Sequence, residues 1–328
     1  MKKTRFTALA VAAAAALALT ACSSGSLSGG DKSGAPAGGG DLTPVTVGLL
    51  KIAPSAAVQM GIDDGIFKKH GLDVKVQLGQ GGAALLPAVS SQSIQFAVGN
   101  PLSVLVAASQ GLDMNIIAGY SSIEVPEDKA PSGVVVKKSS GIASWKDLAG
   151  KTVAVNALNT QGDLTTMASV EAEGGDPKAV KFTEIAFPDQ LAQLEEDHID
   201  AAWVPEPFLS AALAQEGMTF LGDPMRTIPN LYTMVTFTSG AYADAHPEVV
   251  KAFRDAISES TKAAMDDTAH YDDAIVAFTG MPADVVKGIH LEHLTGQLDR
   301  SVIENLSTMA QKYNFVAKAP DLDKVIVD

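Results

Sequence analysis

The chain predicts an open α/β fold, parallel strands covered by helices on both faces. Three observations carry that expectation. Short β-branched runs alternate with helix-period runs along most of the sequence. Glycine and proline punctuate the joins between them. With 328 residues, 46% of them hydrophobic, the chain has material for a large core, and its length favours two domains over one.

Residues 45–50 are a β-branched strand, followed by a helical stretch through Ala56, Val58, Met60 and Ile62 that stops near Gly65. Residues 72–78 alternate apolar and polar as a strand does, and Gly79, Gly81 and Gly82 break the run before a helix over 83–91. A strand over 94–98 reaches Gly99, Asn100 and Pro101, and that proline suits the first turn of a helix over 102–110. Residues 115–118 are the next strand. A second series opens with strands at 133–137 and 151–155, then a helix within 162–173 that Gly174 and Gly175 terminate. Strand 181–185, helix 189–197, strand 199–203 and helix 208–215 follow. The last β-like run is 232–238, and 247–266, 271–279, 282–290 and 301–313 favour helix. In open α/β sheets ligands bind at the carboxyl ends of the strands.

The beginning of the chain has a different character. Lys2, Lys3 and Arg5 precede an apolar run to Leu19 that is too short and too alanine-rich for a good membrane span. Residues 1–21 are expected to be an export signal, and the only cysteine, Cys22, follows Leu19, Thr20 and Ala21, a pattern that resembles a bacterial lipobox. Lipidation of Cys22 would hold the chain at the outer face of the cytoplasmic membrane, since two or three acyl chains bind where one would dissociate. Residues 22–43 are poor in large apolar side chains and read as a flexible tether. Removing the leader's three cations takes the net charge from −14 to −17, which argues against nucleic acid as a partner.

Five segments, in order, carry a family resemblance: 65–74 (GIFKKHGLDV), the end of the strand at Val98, Gly99 and Asn100, 147–155 (DLAGKTVAV), 199–207 (IDAAWVPEP) and 246–253 (HPEVVKAF). They resemble the solute-binding proteins of ABC importers that handle nitrate, sulfonates, taurine and thiamine-precursor pyrimidines. The resemblance implies the type II periplasmic-binding-protein fold, with two α/β lobes, a ligand cleft and two crossing segments near 121–129 and 229–232. One lobe would combine 44–123 with 232–328, and the other would be 124–231. It also implies a monomeric, non-enzymatic lipoprotein that passes a small solute to an ABC permease with its ATPase subunit, with no cofactor and no membrane contact beyond the lipid.

Candidate ligand-binding residues follow from the strand-end rule. Lys51, Ile52 and Pro54 come after the first strand, where helix amides can meet an anion or simply be capped. Gly81, Gly82 and Asn100 allow close backbone approach to a ligand, although turn geometry also explains them. Asn156, Asn159, Thr160 and Gln161 form a polar cluster suited to a head group or to capping the following helix. Tyr120 and Trp203 offer flat faces, with core filling as the competing role. Glu206 is either a cleft carboxylate, welcoming an amine and repelling an anion, or the cap of the next helix.

Other patterns carry less. Gly150, Lys151 and Thr152 mimic the end of a phosphate loop, but Trp145 stands where its upstream glycine belongs. His290 and His293 are read as a solvated helix surface rather than metal ligands. Two rivals remain: an enzyme of the same superfamily in pyrimidine synthesis, whose cysteine-rich iron motif is missing here, and a binder of inorganic anions such as nitrate. The solute classes expected are an aminopyrimidine-like heteroaromatic or a sulfonate such as taurine.

Overall fold

The computed structural model describes residues 42–126 and 128–327; Cys22, the leader and all but the last two residues of the expected tether lie outside them. The chain enters β1 (Thr43–Leu50), whose second half is buried on both faces as suits a strand with neighbours on both sides. Helices α1 (Ala56–Asp63) and α2 (Ile66–Lys69) return it to β2 (Leu72–Gly79). Next come α3 (Gly82–Ser90), β3 (Phe96–Gly99), α4 (Pro101–Ser109) and β4 (Met114–Ser122). Asn100 starts α4 by accepting a hydrogen bond from the Ser103 amide at 2.9 Å, with Pro101 in the first turn.

The second lobe is built from β5 (Ser132–Lys137), β6 (Thr152–Val155), α5 (Gln161–Ala172), β7 (Lys181–Glu184), α6 (Phe187–Glu195), β8 (Ala201–Pro205), α7 (Phe208–Leu213) and β9 (Met218–Gly222). The chain then returns to the first lobe through β10 (Tyr232–Ser239), α8 (Gly240–Ala245), α9 (Pro247–Asp266), α10 (Thr268–Thr279), α11 (Ala283–Val286), β11 (His293–Leu294), α12 (Arg300–Lys312) and α13 (Leu322–Val325).

The larger sheet has the order β11-β4-β10-β3-β1-β2 and the smaller β7-β6-β8-β5-β9. Both are mixed, which corrects the expectation of wholly parallel sheets. β10 runs antiparallel to β3 and β4, and β5 antiparallel to β8 and β9. These are the first strands after each crossing between lobes. A strand that starts at the junction begins where its neighbours end, so it pairs antiparallel without a helical crossover. β9 and β11 were not expected from the sequence, and the helix expected over 282–290 is only the single turn of α11.

The first lobe's core centres on α9. Its buried residues Val249, Val250, Phe253, Ala256, Ile257, Ser260, Thr261 and Ala264 recur at three- and four-residue spacing, the stripe an amphipathic helix turns to a sheet. Phe253 stacks on Phe96 with ring centroids 3.9 Å apart and touches Phe67 at 5.5 Å.

The lobes touch across the cleft. The Ala53 amide donates to the Glu206 carbonyl at 3.2 Å, Asn156 Nδ2 to the Gln80 carbonyl at 3.2 Å, and Gln161 Nε2 to the Tyr232 carbonyl at 2.7 Å. Glu171 of α5 meets Lys312 and Tyr313 at the end of α12. Among the described residues no helix is long and apolar enough to cross a membrane.

Candidate functional site

Between the two sheets lies a narrow cavity of about 40 Å³. Leu50 and Ile52 reach it from the end of β1 and the turn after it, Asn100 from the turn after β3, Asn156 and Thr160 from the loop after β6, Gln161 and Gly162 from the start of α5, and Trp203 and Pro205 from β8. Ser132, Phe187, Met225, Thr233, Met234 and Glu292 complete the lining. A broader groove of about 590 Å³ runs between α5 and α12, lined by Ala168, Ile228, Pro229 and Met309 among others. The smaller cavity is the candidate site, because two side chains that line it, Gln161 and Trp203, each carry a buried polar atom without a partner among the described residues.

Two carboxylate bonds shape the loop before α5. Asp163 accepts from the Asn159 amide at 2.7 Å and the Thr160 amide at 2.8 Å, and Thr160 Oγ1 donates to the Ala157 carbonyl at 2.9 Å. This leaves Gln161 and Gly162 at the helix opening, where amides have no intrahelical partner and the helix dipole favours an anion. The Trp203 ring lies against that first turn. A Cβ at position 162 would sit 2.7 Å from Trp203 Cε3, so glycine is what admits the ring. Trp203 Nε1 and Gln161 Oε1 are both buried without a hydrogen-bond partner among the described residues. A buried donor and a buried acceptor left unpaired are costly, and a ligand can satisfy both.

On the other side stands a carboxylate. Thr233 Oγ1 donates to Glu292 Oε2, and Ser121 Oγ lies 2.6 Å from Thr233 Oγ1, so a hydroxyl relay feeds the acid. Burial nevertheless pushes the Glu292 carboxyl up to about 7, with Asp223 adding repulsion. Asp223, which accepts from Ser132 Oγ at 3.1 Å and the Met225 amide at 3.0 Å, is pushed up by burial to about 6. Among the described residues no Lys, Arg or His lines the cavity.

A pH dependence follows. Glu292 holds its proton more tightly folded than unfolded, so its contribution is full below its ordinary value and is lost as pH rises towards about 7. Asp223 acts in the same direction at lower pH. The ligand-free protein is therefore expected to lose up to about 3 kcal/mol between about pH 5 and about pH 8 from Glu292. Thermal melts across that range check it. Glu292→Gln should flatten the upper half of the profile, and an unchanged profile would assign the titration elsewhere.

Of the residues expected from the sequence, Ile52, Asn100, Asn156, Thr160, Gln161 and Trp203 line the cavity. Lys51 is exposed on the turn after β1 and does not. Pro54 and Glu206 lie in an adjoining crevice with Tyr271 and His290. There Glu206 accepts from the Ser210 amide at 3.0 Å and Ser210 Oγ at 2.7 Å, capping α7. Tyr120 is fully buried with its hydroxyl on the Pro54 carbonyl at 2.6 Å, and Asn159 is exposed. Gly81 and Gly82 allow loops to meet: a Cβ would come within 2.8 Å of Asn156 Nδ2 at the first and 3.1 Å of the Asn100 amide nitrogen at the second.

Sequence reasoning passed over Ser132, Phe187, Thr233 and Glu292. Ser132 and Thr233 stand at the starts of antiparallel strands, where a rule about carboxyl ends does not look. The His290 to His293 segment is not the solvated helix surface expected. His293 pairs in β11, and Glu292 between the two histidines is buried, because the segment docks on β4.

Known proteins place this architecture. The family model described as NMT1/THI5 like matches residues 54–270, more than half of the chain. The taurine-binding periplasmic protein of Escherichia coli K12 is 29% identical over 213 residues, covering 64% of this chain. The match spans 62% of that relative's own length. In structure, the alkanesulfonate-binding protein SsuA of Xanthomonas axonopodis pv. citri, bound to MOPS, superposes with a TM-score of 0.75 at 15% identity, covering 88% of this chain and all of SsuA. The periplasmic nitrate-binding protein NrtA of Synechocystis PCC 6803 gives 0.72 at 15% identity, covering 87% and 86% of the two chains. With two α/β lobes, two crossings and a cavity between them, the chain has the type II periplasmic-binding-protein fold and belongs to the NMT1/THI5 like family.

Proposed function

We propose that this chain is the extracytoplasmic solute-binding lipoprotein of an ABC importer, anchored through Cys22, that captures one short organic solute of the sulfonate or taurine class. The observation that carries this reading is the set of donors converging on the interlobe cavity: the opening amides of α5 and the unpaired Trp203 Nε1. They suit an oxyanionic head without a lysine or arginine, because fixed dipoles in a dry site stabilise charge without reorganising. The taurine- and alkanesulfonate-binding relatives support the same class. Residues 44–123 with 232–328 close against 124–231 around the solute, and the closed form docks on the permease. Ser132 Oγ is engaged by Asp223 rather than by a histidine base, so turnover is not part of the reading.

Thermal stabilisation of the purified protein tests it, with taurine, ethanesulfonate, nitrate and an aminopyrimidine as probes. A ligand at one hundred times its dissociation constant adds about 2.7 kcal/mol. The sulfonates are expected to raise the melting temperature. Silence from both, or a response to the pyrimidine or nitrate alone, would overturn the solute class. A chain recovered from the membrane fraction without a diacylated Cys22 would overturn the anchor.

A further inference from the structure

We propose that Glu292 is the specificity-determining residue of this cavity and that it receives a cationic nitrogen, so the solute is a short zwitterion with an ammonium opposite its oxyanion. The oxyanion half of this inference rests on the reading above, and the Glu292 half rests on the site's own charge balance. Glu292 is buried, 6% exposed, and lines the cavity beside Thr233. The hydroxyl relay from Ser121 engages one carboxylate oxygen, Oε2.

The titratable groups around Glu292 are mostly phenols and acids. From β4 and α10 come the buried phenols Tyr120 and Tyr271, whose own titration the Glu292 charge opposes. After β9 stands Asp223, which repels Glu292 and whose own cation partner, Arg226, is 4.0 Å away. From the end of β8, Glu206 occupies the adjoining crevice, together with His290 of Glu292's own segment. Glu292 thus has two buried acids, Asp223 and Glu206, for neighbours; none of the side chains lining the interlobe cavity is basic, His290 belonging to the adjoining crevice and Arg226 to Asp223. An uncompensated buried carboxylate is expensive, and a ligand cation removes that cost where the protein supplies none. The unpaired Gln161 Oε1 is a second acceptor for the same nitrogen's protons.

The opposite arrangement would have a protonated Glu292 donating to an anionic head, and the two differ in the sign of their pH dependence. A cation pairs with the ionised acid, so affinity rises from about pH 6 to about pH 8. A head group that needs the protonated acid loses affinity over the same range. Because Asp223 titrates nearby, Glu292→Gln shows which acid is responsible.

The experiment is calorimetric titration of the purified protein and its Glu292→Gln variant with taurine, ethanesulfonate and β-alanine, the last bearing the ammonium without a sulfonate. Wild type is expected to bind taurine at least tenfold more tightly than ethanesulfonate, increasingly so towards pH 8. Glu292→Gln should erase that preference while melting as a folded protein. Equal or tighter binding of ethanesulfonate, or affinity falling with pH, overturns the role of Glu292 and leaves the sulfonate reading standing. Binding of β-alanine alone, lost in Glu292→Gln, supports Glu292 and sinks the sulfonate reading. Failure of all three probes to bind sinks both.

Discussion

Alanine in place of Phe253 is expected to cost the first lobe about 3–5 kcal/mol, the range for deleting a fully buried aromatic ring. Phe253 has no exposed surface, stacks on Phe96 at an interplanar angle of 7° and touches Phe67 of α2. It ties α9 to β3 and to the helical return after β1. Collapse around the void is resisted on both sides, because Tyr242 already packs edge-on against Phe96 at 5.6 Å. Urea unfolding followed by circular dichroism measures the loss. Trp145 and Trp203 are the only two tryptophans and both lie in the second lobe, so fluorescence reads that lobe separately. A cost below about 1 kcal/mol would mean that the stack is dispensable.

Gly119→Ala should do comparable damage by the opposite route. A Cβ there would sit 1.9 Å from the Gln297 carbonyl oxygen and 3.1 Å from that of Thr295, and backbone atoms cannot swing aside as a side-chain tip can. The segment that must move is pinned to β4 by the Thr295 amide on the Tyr120 carbonyl at 2.9 Å. Tyr232 holds it from the other side, its hydroxyl donating to the Gln297 carbonyl at 3.2 Å and accepting from the Asp299 amide at 2.8 Å. Overpacking of this kind costs about 3 kcal/mol at the upper end of its usual range. Because Glu292 immediately precedes β11, the displacement should also reach the cavity. Denaturation together with taurine titration checks both effects. Unchanged stability and affinity would show that the segment tolerates a shifted seat.

The alternation of strands and helices was legible because each element carries its own period, and the start of α4 because Asn100 and Pro101 are a local signal. Asn156 and Gln161 lie where the strand-end rule looks, after β6, and Trp203 lies within β8, whose end the sequence placed two residues early. What stayed hidden depends on distant pairing. Thr233 faces the cavity because β10 enters antiparallel between β3 and β4, a choice made by the chain's route through the other lobe. Glu292 looks like a polar residue between two histidines until Gly119 lets its segment dock. For Glu206 the sequence left a cleft carboxylate and a helix cap both open, and its bonds to Ser210 are those of the cap, while the unremarked Glu292 lines the cavity.

β10 occupies the middle of the larger sheet although its residues come after all of the smaller one. A ribosome therefore delivers every strand of the smaller sheet before it delivers the piece that joins β3 to β4. Until residues 232–239 are available, β3 and β4 lack the strand that lies between them in the finished sheet. The smaller sheet draws on one uninterrupted stretch and has no such wait. Chain order and topology together mean that the larger sheet cannot be complete before the smaller one's strands are all available, and the edges of β3 and β4 that β10 covers are the ones open to wrong partners until it arrives.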